Sequence, residues 1–224
     1  MMLVKVFVLG RPGSGKTTAI HHLLNLAQQR DYSAFSIDDY SILYRMSRDE
    51  RYHEQFRRTA YDGFDVLDLS VFDTALQNLE QQVQAMSAHA SNGIITIEFA
   101  RNDYAQALSQ FSADFLKDAY IFFVDADLET CIERIYQRVA SPRTQSGHFV
   151  SDYIMHTYYS YDNWSYVSTQ LMSVYHIYKM AQTFRNTGSV SHLLAQVERF
   201  AEHIFLNEFK QLASADQLKQ LAHA

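Results

Sequence analysis

Cysteine, proline and glycine are all scarce in this sequence. Cys131 is the only cysteine among 224 residues, which also include 2 prolines and 7 glycines. A single cysteine excludes a disulfide within the chain and favours a reducing compartment, so we expect a cytoplasmic protein. Because 47% of the residues are apolar, the composition indicates a globular chain and excludes a disordered or fibrous one.

Long hydrophobic runs are absent as well. No apolar stretch approaches the ~20 residues that a membrane-spanning helix needs, so the sequence predicts no membrane partner. The apolar start of the chain, residues 3–9, is interpreted as a strand and not as a signal segment, because it runs directly into a glycine-rich loop.

An excess of basic residues is also missing, since the formal net charge is −6. Proteins that hold long nucleic acids usually carry a basic stripe. Two arginine clusters favour a small ligand with a few phosphates, so a long nucleic acid is not expected, while binding to a nucleic-acid end stays open. The clusters are Arg45, Arg48, Arg51, Arg57 and Arg58, and Arg134, Arg138 and Arg143.

Strands and helices are predicted to alternate along the chain. The predicted strands are 3–9, 34–37, 94–99, 120–124 and 178–184. The main predicted helices are 16–29, 40–62, 70–88, 128–138 and 191–205, and more than one helix is expected to fill 151–173. This alternation predicts a three-layer α/β/α fold around a five-stranded parallel sheet, in a single domain over 1–224. A helical lid with a mobile polar loop is expected at about 139–149, and a helical tail at about 206–224.

Residues 10–17 match the pattern G-x-x-x-x-G-K-[ST] at every position, between a predicted strand and a predicted helix. Its glycines let successive backbone N–H groups point at one phosphate, at the positive end of the following helix. Lys16 is expected to reach the β and γ phosphates, and the Thr17 hydroxyl to coordinate Mg²⁺. The motif therefore predicts a P-loop NTPase fold that binds ATP and Mg²⁺ through Gly10, Arg11, Pro12, Gly13, Ser14, Gly15, Lys16, Thr17 and Thr18.

A P-loop alone does not separate kinases from GTPases, motors or switches. The chain has no Asn-Lys-x-Asp guanine signature, and its second strand ends in Ser-Ile-Asp-Asp-Tyr at 36–40. This ending resembles the P-loop nucleoside, sugar and polynucleotide kinases, whose second strand ends in Ser-x-Asp or x-Asp-Asp-Tyr. The resemblance implies that Asp38 accepts the proton of the attacking hydroxyl, and Asp38 is also a candidate metal ligand. Asp39 would support it or cap the next helix, and a pair of capping aspartates is the alternative interpretation.

The fourth predicted strand ends in Asp-Ala-Asp at 125–127, and the following helix carries Arg134 and Arg138. This arrangement resembles the junction between strand and lid in the same kinases. Residues four apart share one helical face, so the two guanidinium groups can bracket one polyphosphate. The resemblance implies that both arginines stabilise the transferred phosphoryl group, with Arg143 as a third candidate for nucleotide contact. A solvated helix face is the alternative.

Two more elements resemble these kinases. Glu98, near the end of an apolar strand, stands at the Walker B place, which implies that it holds Mg²⁺ through water. The strand that ends in Asp125 competes for this role, but the resemblance assigns that strand to the lid. Arg101 follows Glu98 in a Glu-x-x-Arg spacing that resembles the Glu-Arg-Ser element of deoxynucleoside kinases, which implies that Arg101 contacts substrate or phosphate. The loop 185–189, with Asn186, resembles the loop beside the adenine, and an ordinary glycine turn is its alternative.

These observations predict an ATP-dependent P-loop kinase, in a superfamily that also contains zeta-toxin-like kinases. Its expected acceptor is a small molecule: a nucleoside, a nucleotide or another hydroxyl metabolite. The alternative acceptors are a polynucleotide 5′-hydroxyl and a nucleotide sugar. The alternative function is a nucleotide-dependent switch without kinase activity. Residues 40–92 match no known motif and are expected to dock the acceptor. The tyrosine-rich stretch 153–178 is expected to form core or subunit interface, which leaves a homodimer open.

Overall fold

Five parallel strands form the central sheet of the computed structural model, which describes residues 3–90, 92–140 and 149–209. The sheet order is β2-β5-β1-β6-β7, and each neighbouring pair is parallel. The predicted five-stranded parallel sheet is therefore confirmed. The strands of the chain are β1 (Leu3–Leu9), β2 (Ser33–Asp38), β3 (Phe56–Arg58), β4 (Phe64–Val66), β5 (Gly93–Phe99), β6 (Tyr120–Asp125) and β7 (Ala181–Arg185).

Helices cover both faces of this sheet. They are α1 (Lys16–Gln28), α2 (Asp39–Arg48), α3 (Ser70–Ser87), α4 (Tyr104–Leu108), α5 (Ala113–Leu116), α6 (Leu128–Ala140), α7 (Asp152–Thr157), α8 (Trp164–Thr169), α9 (Leu171–Val174) and α10 (Val190–Ile204). A 3₁₀ turn covers Glu50–Tyr52, and a π-helical turn, Phe205–Phe209, follows α10.

The side chains of β1 alternate between two hydrophobic cores. Phe7 and Leu9 belong to a core that includes α3, α4 and α5, whereas Val6 and Val8 belong to a core that includes α1 and α10. A strand buried on both faces must be apolar nearly throughout, which is why β1 shows no alternation of polar and apolar residues. The two cores on opposite sides of one sheet confirm the predicted three layers.

The predicted helix at 40–62 is wrong beyond Arg48, where α2 ends. The chain turns instead into an antiparallel hairpin of β3 and β4. Tyr61 and Asp62 adopt positive φ angles of 53° and 58° at its turn, a conformation that a helix does not contain. Long-range packing stabilises the hairpin, since the Phe56 and Phe64 rings meet edge to face at 5.4 Å. This packing cannot be predicted from the spacing of apolar residues within the segment.

The helices predicted to fill 151–173 are α7, α8 and α9, and residues 158–163 lie outside any helix. In this break the backbone carbonyl of Tyr159 accepts a hydrogen bond from Arg11 at 2.8 Å, and Asp162 forms an ion pair with the same arginine. The break therefore lets the segment contact the glycine loop.

Several predictions fall on parts of the chain outside the described residues. Arg143 and most of the expected lid lie there, as do residues 210–224 of the expected tail. The single domain over 1–224 stays a prediction. None of the helices that the structure describes combines the length and the apolar character that crossing a membrane requires.

Candidate active site

The loop between β1 and α1 can be built only with glycine at critical positions. Gly13 and Gly15 have φ angles of 80° and 109°, which L side chains rarely adopt. A Cβ atom on Gly13 would lie 2.3 Å from the carbonyl oxygen of Cys131, and one on Gly15 would lie 2.5 Å from Nδ2 of Asn186. The loop is thus packed directly against α6 and the end of β7, and its backbone conformation matches a P-loop.

Two side chains far away in sequence hold this loop in place. The hydroxyl of the buried Tyr104 accepts a hydrogen bond from the Gly10 N–H at 2.9 Å. Asn186 donates from Nδ2 to the carbonyl of Ser14 at 2.7 Å, and its own N–H donates to the carbonyl of Asp125 at 2.6 Å. Asn186 therefore connects the loop to the ends of β6 and β7, and Tyr104 connects it to α4. No motif in the sequence indicates the role of Tyr104.

Arg11, a predicted nucleotide ligand, directs its side chain to the segment between α7 and α8. Its Nη1 lies 3.1 Å from a carboxylate oxygen of Asp162 and donates to the carbonyl of Ala126 at 3.1 Å. The Arg11 carbonyl faces the other way and accepts a hydrogen bond from Lys16 Nζ at 2.9 Å. In this structure Arg11 therefore braces the loop.

Lys16 lies at the first turn of α1 and points along the loop towards β5. Its Nζ is 3.6 Å from Oε1 of Glu98, and only 6% of its side chain is exposed. Burial lowers the pKa of Lys16, and the charge of Glu98 opposes that change. Burial raises the pKa of the Glu98 carboxyl, against the opposing charge of Lys16. A buried ammonium with one carboxylate nearby is a strong site for additional anionic oxygens.

Asp38 and Glu98 are neighbours across the sheet. They are register partners of the parallel strands β2 and β5, so both carboxylates lie at the same sheet edge as the loop. Asp38 also caps α2, because its Oδ1 accepts from the Ser41 N–H at 2.6 Å and its Oδ2 from the Ser41 hydroxyl at 3.1 Å. A carboxylate has about four acceptor positions, so capping leaves Asp38 able to accept another proton donor.

Asp39 and Arg101 form a buried ion pair beside these carboxylates. Burial raises the pKa of Asp39, and the charge of Arg101 opposes the rise. Arg101 also donates to the carbonyls of Ala100 at 2.6 Å and of Phe72 at 3.2 Å, and its guanidinium lies 4.2 Å from the centre of the Phe72 ring. These contacts fix the position of Arg101. Asp39 pairs with Arg101, and it is Asp38 that caps α2.

Arg134 and Arg138, four residues apart on α6, both line the cavity in front of the loop. Arg134 donates to the carbonyl of Ser14 at 3.3 Å and to that of Asn186 at 3.1 Å, so it connects the loop with the end of β7. Burial lowers the pKa of Arg138, and the charge of Glu98 opposes the change. The predicted helix face is therefore turned into the site and not into solvent.

A cavity of about 450 Å³ joins these groups. One part, the loop compartment, is lined by Gly13, Gly15, Lys16, Thr17, Thr18, Arg134 and Asn186. The other part, the apolar compartment, is lined by Tyr40, Leu43, Phe64, Val66, Phe72 and Phe149. Asp38, Glu98 and Arg138 also line the same cavity. Sequence reasoning expected the acceptor to dock on residues 40–92 but missed the apolar character of this compartment, since only the hairpin and α3 bring its walls together.

The predicted metal ligands Thr17, Asp38 and Glu98 all line this cavity. Among the residues that the structure describes, no group of three or more His, Cys, Asp or Glu side chains could hold a metal ion. Mg²⁺ in phosphate-transfer sites uses one or two carboxylates and completes its shell with water and substrate phosphates. The Glu98 carboxylate and the Thr17 hydroxyl fit that pattern, and Asp38, the register partner of Glu98, is a further candidate.

The P-loop follows the central strand β1 and leads into α1, beside two carboxylates on neighbouring strands and a helix with two arginines that line the cavity. These features define the class of P-loop kinase folds. A family model described as an AAA domain matches residues 6–151. The chain belongs to this family. The predicted membership of the P-loop kinase superfamily is confirmed.

Curated relatives and solved structures agree with this assignment. The UMP-CMP kinases of Xenopus tropicalis and Xenopus laevis are each 30% identical over 130 residues, which cover 58% of this chain and 64% and 65% of those proteins. The chain thus spans just under two thirds of the length of these relatives. A gluconokinase from Sinorhizobium meliloti 1021 shares the fold with a TM-score of 0.53 and 12% identity, covering 92% of this chain and 98% of that one. Kti12 from Chaetomium thermophilum, solved with ADP-AlF3, has a TM-score of 0.54 and 14% identity, covering 89% and 98%.

Proposed function

We propose that this protein is a kinase that uses ATP and Mg²⁺ to phosphorylate a hydroxyl group of a small molecule. One observation carries the proposal. Asp38 and Glu98 are register partners at the sheet edge, and they share one cavity with Lys16 of the P-loop. A nucleotide switch needs a P-loop and a metal ligand, but it has no use for a further carboxylate at the acceptor side.

The loop compartment would hold the triphosphate. The backbone N–H groups of the loop and the start of α1 favour anionic oxygens, and Lys16 lies among them. Arg134 and Asn186 close the side of the loop that faces β7. Thr17 and Glu98 would hold Mg²⁺, which would neutralise negative charge on the phosphate groups.

Asp38 would act on the acceptor. A hydroxyl oxygen attacks the γ-phosphorus, its proton passes to the Asp38 carboxylate, and the bond between the γ-phosphorus and the bridging oxygen breaks to release ADP. Arg138, which lines the same cavity near Glu98, would stabilise the charge spread over the transferred oxygens. Each step uses a side chain that is already turned into the cavity.

A transfer screen with γ-labelled ATP tests this function. Acceptors in the screen are nucleosides, nucleoside monophosphates, sugars, small alcohols, nucleotide sugars and oligonucleotides with a free 5′-hydroxyl. The variant Lys16→Met supplies the background. Label on a hydroxyl of any small acceptor, absent with the variant, supports the proposal. Hydrolysis of ATP without transfer to any member would contradict it and favour a switch, and label on oligonucleotide ends alone would favour a polynucleotide kinase.

A further inference from the structure

We infer that the acceptor is an uncharged molecule of the nucleoside class, an aromatic ring that carries hydroxyl groups, and that the apolar compartment binds its ring. The role of this molecule as acceptor rests on the proposed function. The binding of its ring in the apolar compartment can be measured separately, without phosphoryl transfer. The relatives named UMP-CMP kinase would instead favour an acceptor that already bears a phosphate. The two hypotheses therefore predict different relative affinities for a nucleoside and its monophosphate.

The walls of the apolar compartment are suited to a flat ring. Tyr40 stacks on Phe64, with ring centres 5.2 Å apart and planes at 29°, and Phe72 lies buried at the start of α3. Phe149 contributes another ring to the lining. Aromatic faces bind nucleobases by stacking without demanding one particular base. A sugar without a ring of this kind would bring hydroxyl groups against carbon, where they lose hydrogen bonds to water.

The charges around the cavity argue against a phosphorylated acceptor. Among the described residues that line it, four are basic, namely Lys16, Arg101, Arg134 and Arg138, and three are acidic, namely Asp38, Asp39 and Glu98. The complex of ATP with Mg²⁺ is itself an anion, so it already balances the small positive excess. A phosphate monoester beside it would add negative charge next to three carboxylates.

Arg101, whose guanidinium lies 4.2 Å from the centre of the Phe72 ring, is already neutralised. Arg101 is 3% exposed and is paired with Asp39 within a group of backbone carbonyls. Arg57 of the hairpin does not line the cavity and lies 2.7 Å from the buried carboxylate of Asp65. Arg138 also interacts with Tyr40, but the proposed function assigns it to the transferred phosphoryl group. Tyr40 and Gln137 are neutral polar groups that line the cavity and can contact the edge of a base.

Binding measured without chemistry tests the inference. The full chain is titrated in a calorimeter with the four ribonucleosides, their 5′-monophosphates and ribose, with and without AMPPNP and Mg²⁺. We expect at least one nucleoside to bind about tenfold more tightly than its monophosphate and than ribose. Equal or tighter binding of the monophosphate, equal binding of ribose, or no binding of any nucleoside would overturn it. A nucleoside that binds but receives no phosphate would uphold the binding of its ring in the apolar compartment and would contradict its role as the acceptor, while the kinase itself is contradicted only if no member of the transfer screen is labelled.

Two matched variants locate the binding site. Phe64→Leu removes a ring from the compartment and should weaken nucleoside binding about tenfold, with AMPPNP binding unchanged. Phe111→Leu is the control, because Phe111 is buried in the same core and stacked on Phe115 but does not line the cavity. Equal losses in both variants, or no loss in Phe64→Leu, would contradict the assignment. Phe149→Leu serves the same purpose if Phe64→Leu does not fold.

Discussion

Lys16 Nζ lies 3.6 Å from Oε1 of Glu98, so the P-loop lysine is directly paired with the proposed metal ligand. Lys16→Met should reduce transfer to background and weaken ATP binding about 10- to 100-fold, the typical effect of losing a charged hydrogen bond to phosphate. The fold should survive, because Glu98 can take up a proton once its partner is gone. Calorimetry with ATP and Mg²⁺ and a circular dichroism melt provide the measurements.

Glu98→Gln is the companion of that variant. It leaves Lys16 in place and removes the carboxylate, so ATP binding in the absence of Mg²⁺ should be retained while the gain from Mg²⁺ is lost. Wild-type affinity for ATP in Lys16→Met would refute the P-loop assignment, and an unchanged response to Mg²⁺ in Glu98→Gln would refute the metal role.

Asp38 has two tasks that two substitutions can separate. Asparagine caps helices as well as aspartate does, so Asp38→Asn should keep the melting temperature and ATP affinity while transfer falls by ~10²–10⁴, the range of general base catalysis. Asp38→Ala should show the same fall in transfer and also lose about 0.5–2 kcal/mol of the free energy of unfolding. Unchanged transfer in Asp38→Asn would remove Asp38 from the mechanism and leave it a helix cap.

The two arginines of α6 should differ in their kinetic effects. Arg138→Ala should lower kcat more than it weakens ATP binding, since Arg138 is proposed to act on charge that develops during transfer. Arg134→Ala should weaken both, because Arg134 also holds the carbonyls of Ser14 and Asn186. Steady-state kinetics with ATP titrations on both variants give the comparison. A change in ATP affinity alone for Arg138→Ala would withdraw its catalytic role.

Tyr104→Phe tests the support of the loop from α4. The change leaves the buried Gly10 N–H without its acceptor, and a buried unpaired donor costs about 1–3 kcal/mol in the free energy of unfolding. Tyr153→Phe is the control at an exposed tyrosine, where the change should stay within about 0.5 kcal/mol. Urea unfolding of both variants measures the difference, and equal stability of the two would show that the bond does not hold the loop.

The predictions that succeeded concern contacts between residues close in sequence. The strand, glycine loop and helix at 3–28 form one local unit, and alternating elements of adequate length predict a parallel sheet. Arg134 and Arg138 share a face because four residues make about one helical turn. Their orientation into the cavity, however, depends on how α6 packs on the sheet, and periodicity does not contain this information.

The predicted helix at 40–62 failed because the conformation of that segment depends on distant partners. Residues 40–62 have the polar, periodic character of a helix, yet the pairing of Phe56 with Val66 and the packing of Phe64 on Tyr40 make part of them a hairpin. The break at 158–163 follows from contacts with Arg11, about 150 residues earlier in the chain. Local propensity is weaker than such tertiary packing.

The amino-acid sequence by itself determined the P-loop, the strand order in the chain and the acidic ends of β2 and β5, because each depends on a short pattern of residues. Only the tertiary structure decided that Asp39 pairs with Arg101, that Tyr104 holds Gly10, and that the hairpin and α3 surround an apolar compartment. These contacts join residues that are tens of positions apart, and their energy comes from burial and charge pairing that exist only once the chain has folded.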